Sequence, residues 1–408
     1  MRTPERLPPV LLATLAAASL ISLLSFGVRG AFGLFTAPLS ADVGVTREVY
    51  ALAIAIQNLT WGLTQPFAGF VTDRFGPRRV IVAGAVAYAL GIAGLVVAST
   101  PLQIYLTAGL LTGIGMGGAS FTTAVAVLGR VMPESQRSWA VGLATAAGSL
   151  GQFVIVPVTQ AAMDAGGWRA GAWFMAAAIA VIVAAAAFVR GGPTTGSGGT
   201  GGVQPRHLEV LSAAFHHPSY LLLLAGFFVC GFQLAFITTH FPAFLADRGL
   251  GAAAGAWAIA MVGLFNVAGC YLAGVLGGRG GRKWLLSGIY VGRGLVILAF
   301  LLAPLTTGSA LLFGAAMGLL WLSTVPPTSG LVATFFGTRY MATLFGFVFL
   351  SHQVGSFLGV YAGGFFYQST GSYERVWWLC ILLSAFAALV NLPIRERVSE
   401  RVARLGVA

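Results

Sequence analysis

Twelve long apolar stretches constrain what this chain can fold into. A helix needs about 20 mainly apolar residues to cross a bilayer, and each stretch is of that order. Their predicted limits are 10–38, 48–72, 79–98, 102–130, 138–163, 168–189, 218–245, 252–277, 284–303, 309–335, 341–368 and 375–393. Only 8% of the residues are charged, against roughly a quarter in soluble domains, which excludes a water-soluble fold. The sequence therefore predicts an all-α membrane protein with twelve transmembrane helices.

The stretches form two groups of six. Residues 1–190 and 218–408 hold one group each, and the segment 191–217 opens with a glycine-, serine- and threonine-rich run that is typical of a flexible linker. A shift of 204 to 205 positions aligns the groups, so that Gly69-x3-Asp73-Arg74-x-Gly76 meets Gly274-x3-Gly278-Arg279-x-Gly281, and Gly151 meets Gly355. Two such halves in the same orientation imply a pseudo-two-fold axis along the membrane normal and a site near the midplane.

Positive charge is distributed unevenly over the loops. With both termini on the cytoplasmic side, 17 of the 23 Lys and Arg lie on that side and 4 on the other, which by the positive-inside rule predicts cytoplasmic termini in the inner membrane. The net charge of +12 is spread over separate segments, so a nucleic-acid-binding face is excluded. The three cysteines are scattered in apolar stretches, which predicts no disulfide framework, metal site or cofactor.

The loop after the second stretch carries a recognisable motif. Its residues, Gly69-Phe-Val-Thr-Asp73-Arg74-Phe-Gly76-Pro-Arg78-Arg79, resemble the signature of the major facilitator superfamily, and the degenerate copy from Gly274 to Lys283 lies where that family has its second copy. The resemblance covers the whole chain. It implies two pseudo-symmetric six-helix bundles, transport by rocking of the halves and no enzymatic activity. It also implies that Asp73 and Arg74 belong to a charge network that locks the inward gate.

Further matches are to bacterial relatives of monocarboxylate and oxalate/formate transporters. They comprise Arg29 with Phe32-Gly33-Leu34-Phe35, Gly148-Ser-Leu-Gly151-Gln152-Phe153 with Pro157, and Ser351-His352-Gln353-x-Gly355. Arg29 falls where monocarboxylate transporters have an essential lysine, and His352 falls near a lysine of oxalate transporters. The eighth stretch departs from the pattern, since it has Asn266 and Cys270 where that family typically has a carboxylate-binding arginine.

Arg29 is the main candidate for binding a substrate. An arginine within a span costs about 2.5–3.5 kcal/mol on insertion scales and faces a cavity or a partner. None of the 11 Asp and Glu lies deep in a stretch, so the sequence offers Arg29 no counter-ion. A guanidinium matches a carboxylate in bidentate geometry, which favours an anionic substrate. The alternative is that Arg29 snorkels toward the periplasmic surface.

Two histidines and a second arginine also lie within the stretches. His352, near the midplane, is a candidate proton carrier because histidine has a reference pKa near 6.5, and it would contact a carboxylate as a neutral donor or as imidazolium; alternatively its ring forms a bond between helices. His240, nearer the outer surface, is either a gate or proton-carrying residue or a structural one. Arg293 is either functional or caps neighbouring carbonyl groups. The pair Pro326-Pro327 predicts a break in the tenth helix that frees such carbonyls.

The remaining substrate-binding candidates are polar or aromatic residues on helical stripes, which could equally serve in helix packing. They are Phe32, Asn58, Trp61, Gln152, Gln233, Asn266 and Trp321. The stripe of Gln233, Phe236 and His240 predicts that the seventh helix faces the first across the pathway. An aromatic lining from Phe32, Phe236 and Trp321 would admit lactate-like and larger apolar acids.

The sequence thus predicts a monomeric secondary transporter of a small organic anion, foremost a lactate- or pyruvate-like monocarboxylate, working by alternating access in a lipid bilayer. Proton symport and anion exchange both stay open, because only His352 and His240 could carry the proton. One alternative is a drug-type exporter of the same superfamily, but the fourth-helix arginine and Gly-Pro signature of that group are missing. Another is a transporter-like sensor, which would need an added soluble domain.

Overall fold

The computed structural model describes residues 7–190, 207–337 and 341–398. All regular secondary structure in these ranges is helical. Most of the predicted flexible linker, 191–206, and the side chain of Asp73 lie outside the described part of the structure.

The described part of the chain forms twelve long helical segments, which we number in chain order. They are α1 (Pro9–Val43), α2 (Arg47–Phe75), α3 (Pro77–Val97), α4 (Pro101–Val131), α5 (134–165), α6 (168–188), α7 (Pro218–Asp247), α8 (Ala252–Gly278), α9 (Arg282–Leu302), α10 (Thr307–Phe336), α11 (Met341–Thr370) and α12 (Glu374–Asn391). The non-helical backbone of Gly166 and Gly167 separates α5 from α6. A short helix, His207–Phe215, precedes α7.

The number of helices agrees with the prediction from hydropathy. Ten segments of the described chain are long and apolar enough to span a membrane, and one of them, Trp139–Phe188, contains both α5 and α6. The 29-residue helix α2 is not among those ten and completes the set. The predicted all-α fold with twelve membrane-crossing helices in two halves is therefore confirmed.

Proline and glycine set many of the helix limits. Proline occupies the first turn of α1, α3, α4 and α7, where its missing N–H removes no helical hydrogen bond. Gly44 ends α1 in the left-handed conformation, with φ of 74°. Gly167 has the same φ and lets the chain turn back from α5 into α6, since side chains other than glycine rarely adopt this backbone.

The tenth helix is broken where the sequence predicted it. Its first part ends at Leu320 and its second part starts at Val325, directly before Pro326 and Pro327. The two proline rings lack the N–H groups that would continue the hydrogen-bond ladder, so carbonyl oxygens in the preceding turn are left over. The break therefore supplies acceptors in the middle of the second half.

Close glycine contacts pack the helices in the same way in both halves. In the first half, α1 crosses α5 so tightly that a Cβ at Gly151 would lie 1.9 Å from the Leu23 carbonyl oxygen. In the second half, α7 crosses α11, and a Cβ at Gly355 would lie 2.0 Å from the Phe228 carbonyl oxygen. The two glycines are the pair that the sequence repeat aligns, so the repeat is a repeat of helix packing.

We expect Gly355→Ala to destabilise the protein, because the added methyl meets rigid backbone. Overpacking of this kind costs about 1–3 kcal/mol. Gly346→Ala is the matched control on the same helix, since nothing lies within 4 Å of its added Cβ. There, the higher helix propensity of alanine should leave stability equal or slightly raised. Thermal unfolding in detergent measures both, and equal melting temperatures for the two variants would contradict the packing argument.

Two seams join the halves. On the α2–α11 seam, the Gln353 side-chain amide donates to the Asn58 carbonyl oxygen at 2.9 Å. On the α5–α8 seam, the Gln152 amide donates to the Ile259 carbonyl oxygen at 3.0 Å. Each seam thus has one buried amide that bridges to the backbone of the opposite half.

Candidate functional site

Arg29 lies on α1 and turns its side chain toward α2. Its Nη2 donates to the Asn58 Oδ1 atom at 3.3 Å. Its guanidinium carbon lies 5.2 Å from the ring centre of Trp61 and 6.0 Å from that of Phe26. Within the described part of the chain, no carboxylate oxygen is recorded within 4.0 Å of this cation. Arg29 is thus a half-buried cation held by one amide and two aromatic rings.

Trp61 connects Arg29 to the second half. Its indole N–H donates to Gln65 on the next turn of α2, at 3.0 Å. The edge of its ring meets Phe349 of α11, with centres 5.2 Å apart. Phe349 in turn stacks on the imidazole of His352 at 6.0 Å. A row of rings therefore runs from the Arg29 guanidinium across the α2–α11 seam to His352.

His352 is buried, with 6% of its surface exposed, and is held on several sides. Phe227 of α7 covers its ring with centres 5.2 Å apart. Its Nδ1 atom lies 3.0 Å from Gln353 Oε1 and 3.4 Å from Ser356 Oγ. The structure thus brings Arg29, Asn58, Trp61 and His352 of the predicted set together around one seam.

A narrow cleft lies between the halves, and its wall includes Phe26, one of the rings beside Arg29. Its free space of about 160 Å³ is too narrow for a water molecule and is bounded by Phe26, Phe121, Thr145, Gly148, Ser149 and Leu322. Two predicted residues stand at its edge: Gln152 on the α5–α8 seam, and Asn266. The Asn266 amide donates to Ser149 Oγ at 2.9 Å, and its oxygen accepts from the backbone N–H of Leu322 in the α10 break at 2.9 Å. These amides shape the cleft wall.

Arg293 takes the capping role that the sequence left as one of two alternatives. It is fully buried, and its guanidinium donates to the carbonyl oxygens of Leu320 and Trp321 at the α10 break. It also reaches Gln233 Oε1 and Cys230 Sγ, each at 3.4 Å. The acceptors of this arginine are therefore carbonyl oxygens at the break before Pro326-Pro327, although they are not the Leu322 and Ser323 oxygens to which the two proline positions would have bonded in a continuous helix. Arg293 is engaged inside the second half.

Several predicted residues lie away from the cleft. Gln233 donates to the Cys380 carbonyl oxygen and to Ser384, so it is held inside the second half. His240 bonds through Nε2 to the Val360 carbonyl oxygen at 2.8 Å. Phe32, Phe236 and Trp321 are at most 2% exposed and do not border the cleft in the described arrangement, so their role as an aromatic lining stays a prediction. The aromatic residues at the cleft or beside Arg29 are Phe26, Phe121 and Trp61.

The gate residues predicted from the signature loop are only partly described. Arg74 is exposed at the end of α2, and its guanidinium carbon lies 5.4 Å from the Phe75 ring centre. Its predicted partner, the side chain of Asp73, lies outside the described part of the structure. Their role in an inward gate stays a prediction.

The halves are closed against each other on the far side, by which we mean the side opposite the two termini. Arg47 at the start of α2 makes a bidentate ion pair with Asp247 at the end of α7, at 2.5 and 2.6 Å. The hydroxyl of Tyr373 and the ring face of Tyr367 complete its surroundings, at 3.2 and 4.1 Å. We call these four residues the far-side gate.

Contacts to the backbone reinforce this closure about two turns deeper along α7. The Thr36 hydroxyl donates to the Thr239 carbonyl oxygen at 3.2 Å. A Cβ at Gly33 would lie 2.1 Å from the Thr238 carbonyl oxygen, so only glycine allows α1 to approach α7 this closely. The first and seventh helices therefore do face each other as predicted, but as a closed contact on the far side.

Sequence reasoning missed Phe349, Gln353 and the pair Arg47–Asp247. Phe349 lies one turn before His352 and could have been found as its neighbour on the same helix face, whereas Gln353 stood in the quoted motif but was given no role. Arg47 and Asp247 are a cation and an anion at the far-side ends of helices from opposite halves. To predict that these two residues pair, one must know which helix ends meet in the folded protein.

Comparison with known proteins supports the fold. A sequence profile of the Major Facilitator Superfamily matches residues 18–360. YcxA of Bacillus subtilis, described as an uncharacterized MFS-type transporter, is 28% identical over 96% of both chains. Monocarboxylate transporter 13 of Rattus norvegicus is 26% identical over 91% of this chain and 86% of its own.

Solved structures match over nearly the whole length. A bacterial homolog of the human lysosomal transporter Spinster, in an inward-facing and unoccupied conformation, aligns with a TM-score of 0.77 at 14% identity, over 98% of this chain and 99% of its own. A D-xylose-proton symporter aligns with a TM-score of 0.72 at 15% identity, over 94% and 98%. These neighbours share the arrangement of helices described above. With a profile match over most of its length and the twelve-helix fold in two halves, the chain belongs to the major facilitator superfamily and is a membrane transporter, not an enzyme.

Proposed function

We propose that the protein moves a small organic monoanion, a monocarboxylate, across the inner membrane by alternating access. The observation that carries this proposal is Arg29, a half-buried guanidinium beside the α2–α11 seam that donates to the amide oxygen of Asn58. A charge in this position is expensive unless it is balanced, and a carboxylate balances it with two parallel hydrogen bonds. Relatives named as monocarboxylate transporters, at 25–26% identity, support the same cargo.

The number of available cations supports a single negative charge on the cargo. Of the two arginines inside the spans, Arg293 is engaged with the carbonyl oxygens of the α10 break. Arg29 remains to bind an anion. A second carboxylate on the substrate would have only the His352 ring to pair with, and that ring is enclosed by Phe227 and Phe349.

The surroundings of Arg29 support an apolar remainder on the acid. Trp61 and Phe26 lie beside the guanidinium, and the adjoining cleft is walled by Phe121 and Leu322. Such walls favour a methyl, alkyl or aryl group over further hydroxyl groups, because buried hydroxyls without partners cost free energy. Thr145 and Ser149 are the hydroxyl-bearing residues of the cleft wall, and both donate to carbonyl oxygens of α5 in the described arrangement.

We also propose that the termini and the linker face the cytoplasm, because 17 of the 23 Lys and Arg then lie on that side. In this orientation the far-side gate closes the periplasmic side. The described arrangement would thus be a state in which the periplasmic entrance is shut. Monomeric operation is part of the proposal, since each half-to-half seam lies within one chain.

Counterflow in liposomes tests the proposal. The purified protein is reconstituted, loaded with an unlabelled acid, and exposed to labelled monocarboxylates, dicarboxylates and neutral analogues of equal size. We expect accumulation of labelled monocarboxylates and little of the other two classes. A protein that exchanges neutral amides or esters as well as the acids would contradict the role of charge, and an imposed pH gradient separates proton symport from exchange.

His352→Ala should flatten the pH dependence of this uptake between about pH 5 and 8, the range in which a histidine titrates. The reason is that no carboxylic acid of the described chain lies deep in a span. Uptake rates across a series of pH values, at saturating acid, give the profile. His240→Ala is the control histidine, because its ring is bonded to the Val360 carbonyl oxygen away from the cleft. A profile of unchanged shape in His352→Ala would remove His352 from proton transfer.

A further inference from the structure

Gln353 is a fully buried glutamine on the α2–α11 seam whose two amide atoms both have partners. Its Nε2 donates to the Asn58 carbonyl oxygen at 2.9 Å, and its Oε1 lies 3.0 Å from Nδ1 of His352. The first bond crosses to the opposite half, while the second stays within α11. This side chain therefore links the candidate histidine to α2, the helix whose Asn58 side chain accepts from Arg29.

The orientation of the Gln353 amide is fixed by its partner on α2. A backbone carbonyl oxygen can only accept, so the amide nitrogen must face Asn58 and the amide oxygen must face His352. Since an amide oxygen can only accept, the imidazole must donate from Nδ1. Ser356 agrees with this assignment, because its hydroxyl donates to the Gly231 carbonyl oxygen at 3.2 Å and so presents its oxygen to the same nitrogen.

Asn58 carries the link onward to the cation. Its carbonyl oxygen accepts from Gln353, while its side-chain oxygen accepts from Arg29 at 3.3 Å. Its Nδ2 donates to the Ile54 carbonyl oxygen at 2.8 Å, which fixes the orientation of this amide as well. Three hydrogen bonds therefore connect Arg29, Asn58, Gln353 and His352 in one chain across the seam.

Groups from α7, α9 and α10 also lie near the imidazole. Cys230 of α7 precedes Gly231, whose carbonyl oxygen accepts from Ser356, and Arg293 of α9 donates to the Cys230 sulfur at 3.4 Å. From α10, Thr324 contacts the same sulfur. α2 is connected to the ring through Gln353, whose amide donates to the Asn58 carbonyl oxygen. In the described part of the chain, Cys230 and Arg293 are thus the titratable and charged groups on the C-terminal side of the ring, and Arg29 is the one on the N-terminal side.

We infer that Gln353 is a positioning residue of the transport site, which holds His352 in the Nδ1-protonated form and ties its protonation to the position of Arg29. This inference rests on the proposed function and deepens it, because it states how a proton at His352 and an anion at Arg29 influence each other. Proton uptake is confined to Nε2, since Nδ1 donates in the neutral and in the charged ring. Protonation of the ring strengthens its hydrogen bond to the Gln353 oxygen. The stronger bond pulls on the Gln353 amide, and this pull is passed through Asn58 to the guanidinium of Arg29.

Transport assays on two leucine variants test the inference. Gln353→Leu removes the link between the halves and the acceptor of His352. Gln152→Leu is the matched control, because it removes the equivalent amide bond on the α5–α8 seam without touching a histidine. We expect Gln353→Leu to move the midpoint of the pH profile for monocarboxylate uptake lower by about half to one pH unit, since one hydrogen bond to the imidazolium is lost. The KM for the acid should rise about fivefold or more, in line with ordinary coupling between sites.

Gln152→Leu should keep the midpoint of the profile whatever its rate. If both variants change the rate alike and neither moves the midpoint, Gln353 only packs the seam and the inference fails. The inference also fails if uptake by the unmodified protein does not depend on pH.

A measurement without transport separates this inference from the proposed function. Nitrogen NMR of protein labelled with ¹⁵N-histidine reports which ring nitrogen carries the proton, and His352→Gln identifies the signal. We expect the Nδ1-protonated tautomer in the intact protein. This result does not depend on whether the acids used in the counterflow assay include the true substrate. An Nε2-protonated ring would overturn the positioning role even if monocarboxylate transport is confirmed, and even if Gln353→Leu fails to fold.

Discussion

Arg29→Gln should abolish uptake of the anion while leaving the protein folded. Glutamine keeps a hydrogen-bonding amide beside Asn58 but removes the charge that balances a carboxylate. Breaking a desolvated charge pair costs about 2–5 kcal/mol, which is a loss of roughly thirtyfold or more in affinity. Arg29→Lys should lie between, because an ammonium keeps the charge but not the bidentate geometry. Counterflow and direct binding of a labelled monocarboxylate measure both variants.

Arg293→Gln is the matched control, since it also removes an arginine from within a span. Here we expect the opposite result, in which uptake of the acid is kept and stability is lost. The carbonyl oxygens of Leu320 and Trp321 lose their donors, so the melting temperature in detergent should fall, whereas Arg29→Gln should melt no lower than the unmodified protein. A stable Arg29→Gln variant that still takes up the acid would remove Arg29 from the site.

Asp247→Arg should open the far side. It replaces a bidentate ion pair with two guanidinium groups that repel each other at the same place. Coupling energies of about 1–3 kcal/mol shift a two-state equilibrium by fivefold or more. We expect a cysteine placed at Thr239, which is 3% exposed beneath the gate, to react with a water-soluble maleimide about five times faster in this variant. Cys270, the half-buried native cysteine, is replaced by serine for this assay.

The charge-swapped variant, Arg47→Asp with Asp247→Arg, distinguishes the effect of losing the ion pair from a general disturbance of the structure. It restores attraction between the same two positions and should return the labelling rate of the Thr239 cysteine toward that of the intact gate. If the single and the swapped variants label equally fast, the salt bridge does not control closure. Salt dependence gives a second check, because both side chains are partly exposed and their attraction is screened by ions.

The helices could be predicted well from the sequence because the bilayer imposes one length and one polarity on each of them. The predicted stretch 218–245 became Pro218–Asp247, and 252–277 became Ala252–Gly278. The break in α10 was also predictable, since two successive prolines cannot continue a helical ladder. These features depend on local composition and need no knowledge of which helices touch.

The direction of a polar stripe was not predictable. Gln233, Phe236 and His240 do share one face of α7, but Gln233 and His240 are satisfied by groups of the second half, and Phe236 packs on Trp377. Periodicity identifies residues on a common face, but a stripe that lines a cavity and one that bonds to neighbouring helices have the same period. Arg29 was easier to interpret, because no acid or main-chain carbonyl oxygen of the described chain is seen to pair with its guanidinium.

The two seam amides have a consequence for how far such a sequence can diverge. Gln353 and Gln152 each bond to a main-chain oxygen, an atom that every amino acid carries. The contact at position 259 therefore survives replacement of Ile259 by any residue that keeps the helix, and mutations on that side need no compensating change in the glutamine. The accepting atom of each cross-link is thus unaffected by side-chain mutation. Substitutions in α2 and α8 can therefore change which cargo is bound without breaking the hydrogen bonds between the halves.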